Sequence, residues 1–330
     1  MKMKKFINAP ETITDEELVG LGLAYPDIVT VDGHLVISND LENADRVTIV
    51  TYGGSGHEPA QAGFVGKGML DVQAVGDIFA APNAKLVFEA MKRADKGHGV
   101  LLLTLNYAGD QLAGKQAIKL AQKAGLNFRQ VVTGEEIQYD PNGEDNKRGL
   151  AGAVALYHVA AAAAREGRSL DEVAEIAQRA ADNMATLAVA MRGATHPITG
   201  EELATLADDE MEIGMGQHGE GGGGRCKIKT ADETADVMVE ALVKDLGIKS
   251  GEKVLLLING SGATTLMEQL IVYRRCVARL GELGVTVAAN YVGELLTTQE
   301  QAGFQMCMMR LDDELLELWN APCSTPYLKK

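Results

Sequence analysis

Two histidines and one aspartate stand in settings that favour chemistry over packing. His218 lies in Gly214-Met-Gly-Gln-His218-Gly-Glu-Gly-Gly-Gly-Gly-Arg225, a stretch with almost no other side chain. His57 lies in Gly53-Gly-Ser-Gly-His57-Glu-Pro59, and Asp110 closes Asn106-Tyr-Ala-Gly-Asp110. Imidazoles and carboxylates are the groups that carry protons and attack electrophiles in enzymes. Glycine beside them permits positive φ and close approach of a ligand, at an entropic cost of about 0.5–1 kcal/mol per residue relative to alanine. A flexible linker is the plain alternative for the first stretch. The second repeats the device, which argues for two loops that present imidazoles. Taken alone, Asp110 fits a helix N-cap and His57 fits a structural histidine as well as a catalytic one; their joint placement favours a site.

Several familiar chemistries fail on spacing. Gly214-x-Gly216-x-x-Gly219 matches the dinucleotide pattern, but more glycines follow where a helix should receive the pyrophosphate. Gly66-Lys67-Gly68 lacks the first glycine of a P-loop and has glycine where Ser or Thr would hold Mg²⁺. His57-x-Pro59 and His218-x-Glu220 lack the cysteine pair of a zinc deaminase, so no metal site is expected. Asp208-Asp209 and Asp312-Asp313 read as solvated faces.

The elements that must position these residues alternate. Arg46–Tyr52 is a β-branched strand that runs into the His57 loop, and Glu58-Pro59 reads as a helix start. A strand over Met69–Gly76, a helix from Asn83 to Asp95, a strand over Gly99–Leu105, a helix from Asp110 to Ala124 and a strand over Asn127–Thr133 follow. Helices are expected from Arg148 to Arg165 and, from the capping box at Ser169, to about Met191. Further on, Glu210–Gly216 and Cys226–Thr230 read as strands flanking the His218 loop. After a capping box at Thr230 come a strand over Lys253–Asn259, a helix over Ala263–Leu283, and strands over Val285–Tyr291 and Phe304–Leu311. This pattern predicts two α/β domains, residues 1–188 with a mostly parallel sheet flanked by helices and residues 189–330 as a smaller α/β domain. The three polar residues then sit past strand ends, where open α/β sheets bind ligands.

A chain of 330 residues accommodates about two such domains. Its net charge of −15 argues against nucleic acid or an anionic membrane as partner. Neither a signal peptide nor an apolar run of about 18 residues is found, and four scattered cysteines fit a reduced, cytoplasmic protein with buried thiols.

Gly53 to Asp71, Gly76-Asp-Ile-Phe79, Asn106 to Asp110 and Gly216-Gln-His218-Gly-Glu220 together closely resemble the dihydroxyacetone kinase substrate-binding subunit, and the likeness extends to Ala321-Pro322-Cys-Ser-Thr-Pro326. The resemblance implies a two-domain homodimer in which His218 binds a ketone covalently as a hemiaminal. It assigns Asp110 to take the proton from the hydroxyl that is phosphorylated, His57 to assist with a hydrogen bond, and Gly54, Ser55 and Gly56 to line the pocket. A separate nucleotide-binding subunit would carry Mg²⁺ with ADP or ATP, since single-chain relatives add a helical module that this sequence does not reach. A neutral imidazole adds to a carbonyl but not to an alcohol, so such a site would take short ketoses and reject glycerol.

Five positions depart from the family pattern. Leu105 stands where lysine is usual, Ala108 replaces threonine, Ala81 replaces serine, Gln217 replaces isoleucine and Gly221 replaces proline. Losing a charged donor and two hydroxyls implies a different ketose, such as a four-carbon or branched one. A competing expectation is a non-catalytic paralogue that binds the ketone and activates a transcription regulator. A generic nucleotide-binding α/β protein is the third.

Overall fold

The computed structural model describes residues 5–137, 147–222 and 224–330. The chain forms two α/β units, each built on a six-stranded mixed sheet flanked by helices.

The first unit comprises residues 5–133, 153–181 and 317–330. It opens with helix α1 (Ile13–Ala24) and the hairpin β1 (Val29–Asp32) and β2 (Leu35–Ser38). Then come β3 (Thr48–Ser55), β4 (Val72–Ile78), α2 (Ala84–Ala94), β5 (Val100–Leu105), α3 (Ala108–Ala124), β6 (Phe128–Thr133), α4 (Ala153–Arg165) and α5 (Leu170–Asp182). The strand order is β1-β2-β4-β3-β5-β6, in which β4, β3, β5 and β6 are parallel and the hairpin adds an antiparallel edge. Every residue of β5 is buried, as expected of a parallel strand covered on both faces. Val50, Tyr52, Val72 and Leu102 pack with Val87, Met91, Ala113 and Ala117 of α2 and α3. In α4 residues 153–164 are all buried; its run of alanines leaves no bulk to hold neighbours apart. Asn83 caps α2 by accepting the N–H groups of Lys85 and Leu86 at 3.1 Å, the role that its position in the sequence implies.

Among the described residues, the second unit takes 134–137, 147–152, 182–222 and 224–316. Its elements are β7 (Met184–Arg192), β8 (Glu210–Ile213), β9 (Gly224–Lys227), α6 (Ala231–Leu246), β10 (Lys253–Gly260), α7 (Leu266–Glu282), β11 (Thr286–Gly293) and β12 (Ala302–Leu311). Their order is β11-β10-β12-β7-β8-β9, with only β10 and β11 parallel. Both helices start on complete capping boxes, Thr230 with Glu233 and Thr265 with Glu268. Helix α8 (Asp313–Asn320) leads into the last ten residues, which belong to the first unit and bridge within it from Ser324 to Lys67.

Four sequence expectations are corrected. The helix from Ser169 stops at Asp182, and the stretch to Met191 is β7, because its continuous apolar run pairs with β12 on one side and β8 on the other. A cut at 188/189 therefore falls inside a strand, and α4, α5 and the C-terminal segment group with the first sheet. The helix expected from Arg148 begins at Ala153, since the N–H groups of Leu150 and Ala151 are taken by the side chains of Glu135 and Gln305. Glu58-Pro59 opens no helix; turns and a short 3₁₀ stretch at Ala62–Phe64 follow, with the Glu58 carboxylate turned back onto the Gly56 N–H. Asp312 is exposed, as expected of a solvated face, and its Oδ1 also accepts the Leu315 N–H at 2.7 Å at the start of α8. Of the four thiols, Cys276, Cys307 and Cys323 are buried and Cys226 is half-buried. Among the described residues no helix is long and apolar enough to cross a membrane.

Candidate functional site

The first unit gathers Gly54, Ser55, Gly56, His57 and Asp110 at the carboxyl ends of two adjacent parallel strands. From β3 the chain moves to β4 on one side, and from β5 it moves through α3 to β6 on the other. Connections that part in this way open a crevice at the strand ends, the usual binding position in an open α/β sheet. The β3–β5 ladder stops at Thr51 and Leu103, whereas β3 stays paired with β4 as far as Ser55. Residues 52–57 thus peel away from β5.

Missing side chains shape the loop. A methyl group on Gly54 would lie 2.7 Å from the Ala80 nitrogen, and one on Gly56 would lie 2.7 Å from the Phe79 ring. Gly56 also has φ +95°, which a side chain would strain. The turn after β4 therefore closes over the loop, and Phe79 stacks on the buried His57 ring with centroids 4.9 Å apart and planes at 25°. Ser55 Oγ donates to Gly76 O at 3.0 Å and lies 2.8 Å from Thr14 Oγ1, while the Gly56 N–H donates to Glu58. Those donors are engaged within the protein. What Ser55 and Gly56 contribute is the position of the loop.

Asp110 lies in the first turn of α3, whose N-cap is Tyr107 and not the aspartate. Tyr52 reaches beneath that turn: its hydroxyl donates to the Asp110 carbonyl at 2.9 Å and lies 3.2 Å from Thr104 Oγ1. Gly114 makes room for it, since a methyl group there would collide with the Tyr52 hydroxyl. Asp110 Oδ1 is buried and has no hydrogen-bond partner among the described residues. Burial pushes the carboxyl up to about 7, against the pull of its own backbone N–H. A helix N-terminus ordinarily favours the charged form. Here desolvation wins, leaving a carboxylate that gains from taking a proton.

In the second unit His218 sits in the loop of the β8–β9 hairpin, between Ile213 and Gly224. Its Nδ1 lies 3.0 Å from Glu220 Oε1, and its backbone N–H donates to Glu220 Oε2 at 2.9 Å. Glu220 pairs with Arg148 at 3.3 Å, and Arg148 also binds Glu136. Burial alone would raise the Glu220 carboxyl, but His218 and Arg148 hold it down at about 2. In the uncharged form of the ring, an ionised Glu220 favours the tautomer with the proton on Nδ1 and the lone pair on Nε2. Gly216 is essential to this geometry, because a methyl group there would collide with both Arg148 and Glu220. We expect Gly216→Ala to break the Arg148–Glu220 pair and to lower stability by about 1–3 kcal/mol. Denaturant melts at pH 7 and pH 3 check it: the folded carboxyl lies below its ordinary value, so the pair stabilises above pH 4.5 and less as pH falls towards 2. The loss caused by the variant should therefore shrink at pH 3.

Of the positions that depart from the family pattern, Leu105 is buried at the end of β5 and Ala108 is the first residue of α3. Ala81 lies 3.4 Å from where a methyl group on Gly109 would stand; Gln217 is buried and Gly221 is exposed beside His218. Tyr52, Gly114, Thr14 and Arg148 were not legible as site residues. Each acts on a partner at least 40 positions away, and local patterning carries no trace of it. Among the described residues no three His, Cys, Asp or Glu side chains converge as a metal-binding group.

Residues 19–327 match the Dak1 domain. The chain is 36% identical over 330 residues to the dihydroxyacetone-binding subunit DhaK of the PTS-dependent dihydroxyacetone kinase 2 of Listeria innocua, covering 99% of both. It is also 36% identical to the L-erythrulose kinase of Pectobacterium atrosepticum, covering 99% of this chain and 56% of that protein. The solved structure of the dihydroxyacetone kinase operon co-activator Dha-DhaQ superposes with a TM-score of 0.90 at 30% identity, covering 95% of this chain and 98% of the other. With its fold, its glycine loops and a match along almost its whole length, the chain belongs to the Dak1 domain family, the family of the dihydroxyacetone kinase substrate-binding subunit.

Proposed function

We propose that this chain is the ketose-binding subunit of a kinase for short ketoses, with His218 as the covalent anchor and Asp110 as the base. The observation that carries this reading is Asp110: a carboxylate at a strand end with one oxygen buried and unpartnered, poised to accept a proton near neutral pH. Nε2 of His218 attacks the ketone carbon and forms a C–N bond as the C=O π bond opens. The oxygen takes up a proton from solvent to become the hydroxyl of a hemiaminal, and the ring, with carbon on Nε2 and hydrogen on Nδ1, becomes cationic. Positive charge that develops on the ring is met by Glu220, which Arg148 anchors in turn. In a short ketose the hydroxyl to be phosphorylated lies on the carbon next to the carbonyl, so capture also fixes the nucleophilic oxygen. Asp110 removes its proton as the O–P bond forms, and His57 assists through a hydrogen bond. Phosphoryl transfer demands little covalent chemistry from the protein, which makes positioning and a base the proper contribution of this subunit.

A separate nucleotide-binding subunit supplies the phosphoryl group together with Mg²⁺ and ADP or ATP. The subunit name of the Listeria relative supports that division of labour, and the resemblance supports a homodimer. Substrate choice follows the departures at Leu105, Ala108 and Ala81: a four-carbon ketose is favoured, in keeping with the name of the Pectobacterium relative. Likeness to a co-activator favours one competing reading, a ketose sensor without phosphoryl chemistry. Asp110 weighs against it, because capture alone requires no base.

Native mass spectrometry of the whole protein with dihydroxyacetone, erythrulose and glycerol tests the proposal. The two ketoses should each give an adduct that maps to His218, erythrulose at lower concentration, and glycerol none. No adduct with any three- or four-carbon ketose would remove the basis of the reading.

A further inference from the structure

The loop that carries His57 is braced from a helix outside all the motifs that identify the family. Thr14 and Glu17 lie three residues apart on α1, hence on one face of it. Both Thr14 and Ser55 are buried, with their hydroxyls 2.8 Å apart. Because Ser55 spends its proton on Gly76 O, Thr14 is the donor. The Glu58 carboxylate accepts the Gly56 N–H at 3.0 and 3.2 Å and also the N–H groups of His57 and of Glu58 itself. Glu17 makes a carboxyl-to-carboxyl hydrogen bond with Glu58. Such a bond needs one proton between the two acids. Glu58 already faces three N–H donors, which favour its charge, so the proton resides on Glu17.

We infer that Glu17 and Thr14 are positioning residues for the His57 loop, Glu17 by donating its carboxyl proton to Glu58 and Thr14 by donating its hydroxyl proton to Ser55. The role of His57 that they serve rests on the function proposed above. Burial first, and then the neighbouring Glu58, push the Glu17 carboxyl up to about 9, which keeps the bond intact at neutral pH. The other titratable groups whose charge reaches the pair are the phenols of Tyr327 and, through it, Tyr25, and burial raises Tyr327 too. His57 meets the pair through its backbone N–H, while its ring stacks on Phe79. As pH rises past about 9, Glu17 ionises, two carboxylates face each other and the brace opens.

The test follows the His57 ring resonance of the ketose-free full-length protein from pH 6 to 10.5, together with kcat and KM for ketose phosphorylation in the presence of the partner subunit. In the unaltered protein the resonance should shift with an inflection near 9, and kcat should fall over the same range with KM changing less than twofold. Glu17→Gln, whose amide still donates to Glu58, should keep kcat at pH 7 within about threefold and abolish the inflection. Glu17→Ala should lower kcat about tenfold at every pH. An inflection near 9 that persists in Glu17→Gln overturns the inference, as does an unshifted His57 resonance in Glu17→Ala. The resonance is read without ketose or partner, so it still judges the brace if the kinase reading fails. A normal His218 adduct with no inflection would reject the brace alone.

Discussion

Asp110→Asn is expected to keep the ketose adduct on His218 while lowering partner-dependent phosphoryl transfer by about 10²–10⁴-fold, the usual contribution of a positioned base. The amide has nearly the shape of the carboxylate, so the turn of α3 and the Tyr52 hydrogen bond to the Asp110 carbonyl should survive. What disappears is an acceptor for the hydroxyl proton. In the unaltered protein kcat should rise with pH through about 7, where the buried carboxyl loses its proton, and the variant should show no such rise. Stability should move the opposite way. A carboxyl whose folded value lies above its ordinary 3.8 binds more protons folded than unfolded between about pH 4 and 7. Its contribution is therefore greatest at low pH and declines as pH rises through that window. Above pH 7 the charged, half-satisfied group is a cost that asparagine removes, so the variant should be more stable by on the order of 1–3 kcal/mol. Loss of turnover combined with gain of stability is the signature of a strained functional group. Unchanged turnover in Asp110→Asn would assign the base elsewhere.

The contrast between what patterning revealed and what it hid follows from the range of each signal. Strands β3 and β5 stood out because each is a β-branched or aliphatic run bounded by glycine, and helices α2 and α6 because Asn83 and Thr230 announce their caps within four residues. Short elements escaped. Strands β1 and β2 are four residues each, and α1 carries Gly20 and Gly22 in a weakly periodic sequence. Strand β7 reads as helix in the sequence because an unbroken apolar run has no period to separate the two, and only pairing on both sides makes it a strand. The same divide runs through the site. His57, Asp110 and His218 declared themselves by type and by the glycines beside them. The supports that give those groups their properties, Arg148 for Glu220, Glu17 for Glu58 and Tyr52 for Asp110, join residues 72, 41 and 58 positions apart. No spacing rule connects them, so the chemistry was legible and its tuning was not.

His218→Ala should abolish the adduct and, with the partner subunit present, reduce phosphorylation of a ketose by about 10³-fold or more. The size follows from what covalent capture does. It removes the translational and rotational freedom of a small, feature-poor molecule whose few hydroxyls could not by themselves hold it in one orientation. With the anchor gone, Asp110 and His57 remain, but the nucleophilic oxygen is no longer held for an in-line approach to phosphorus. Discrimination should collapse together with rate. An anchored site chooses ketone over alcohol by a bond that only the ketone can form, whereas an unanchored one separates them only by weak polar contacts. Residual phosphorylation in the variant should therefore fall on erythrulose and glycerol to within about tenfold of each other. Glu220→Gln provides the graded control. It keeps the ring but weakens the tautomer preference and the counter-charge that Arg148 secures, so adduct formation should persist at reduced affinity. Were His218→Ala to retain ketose preference at an undiminished rate, selection would lie in hydrogen bonding within the first unit, and the histidine loop would need another role.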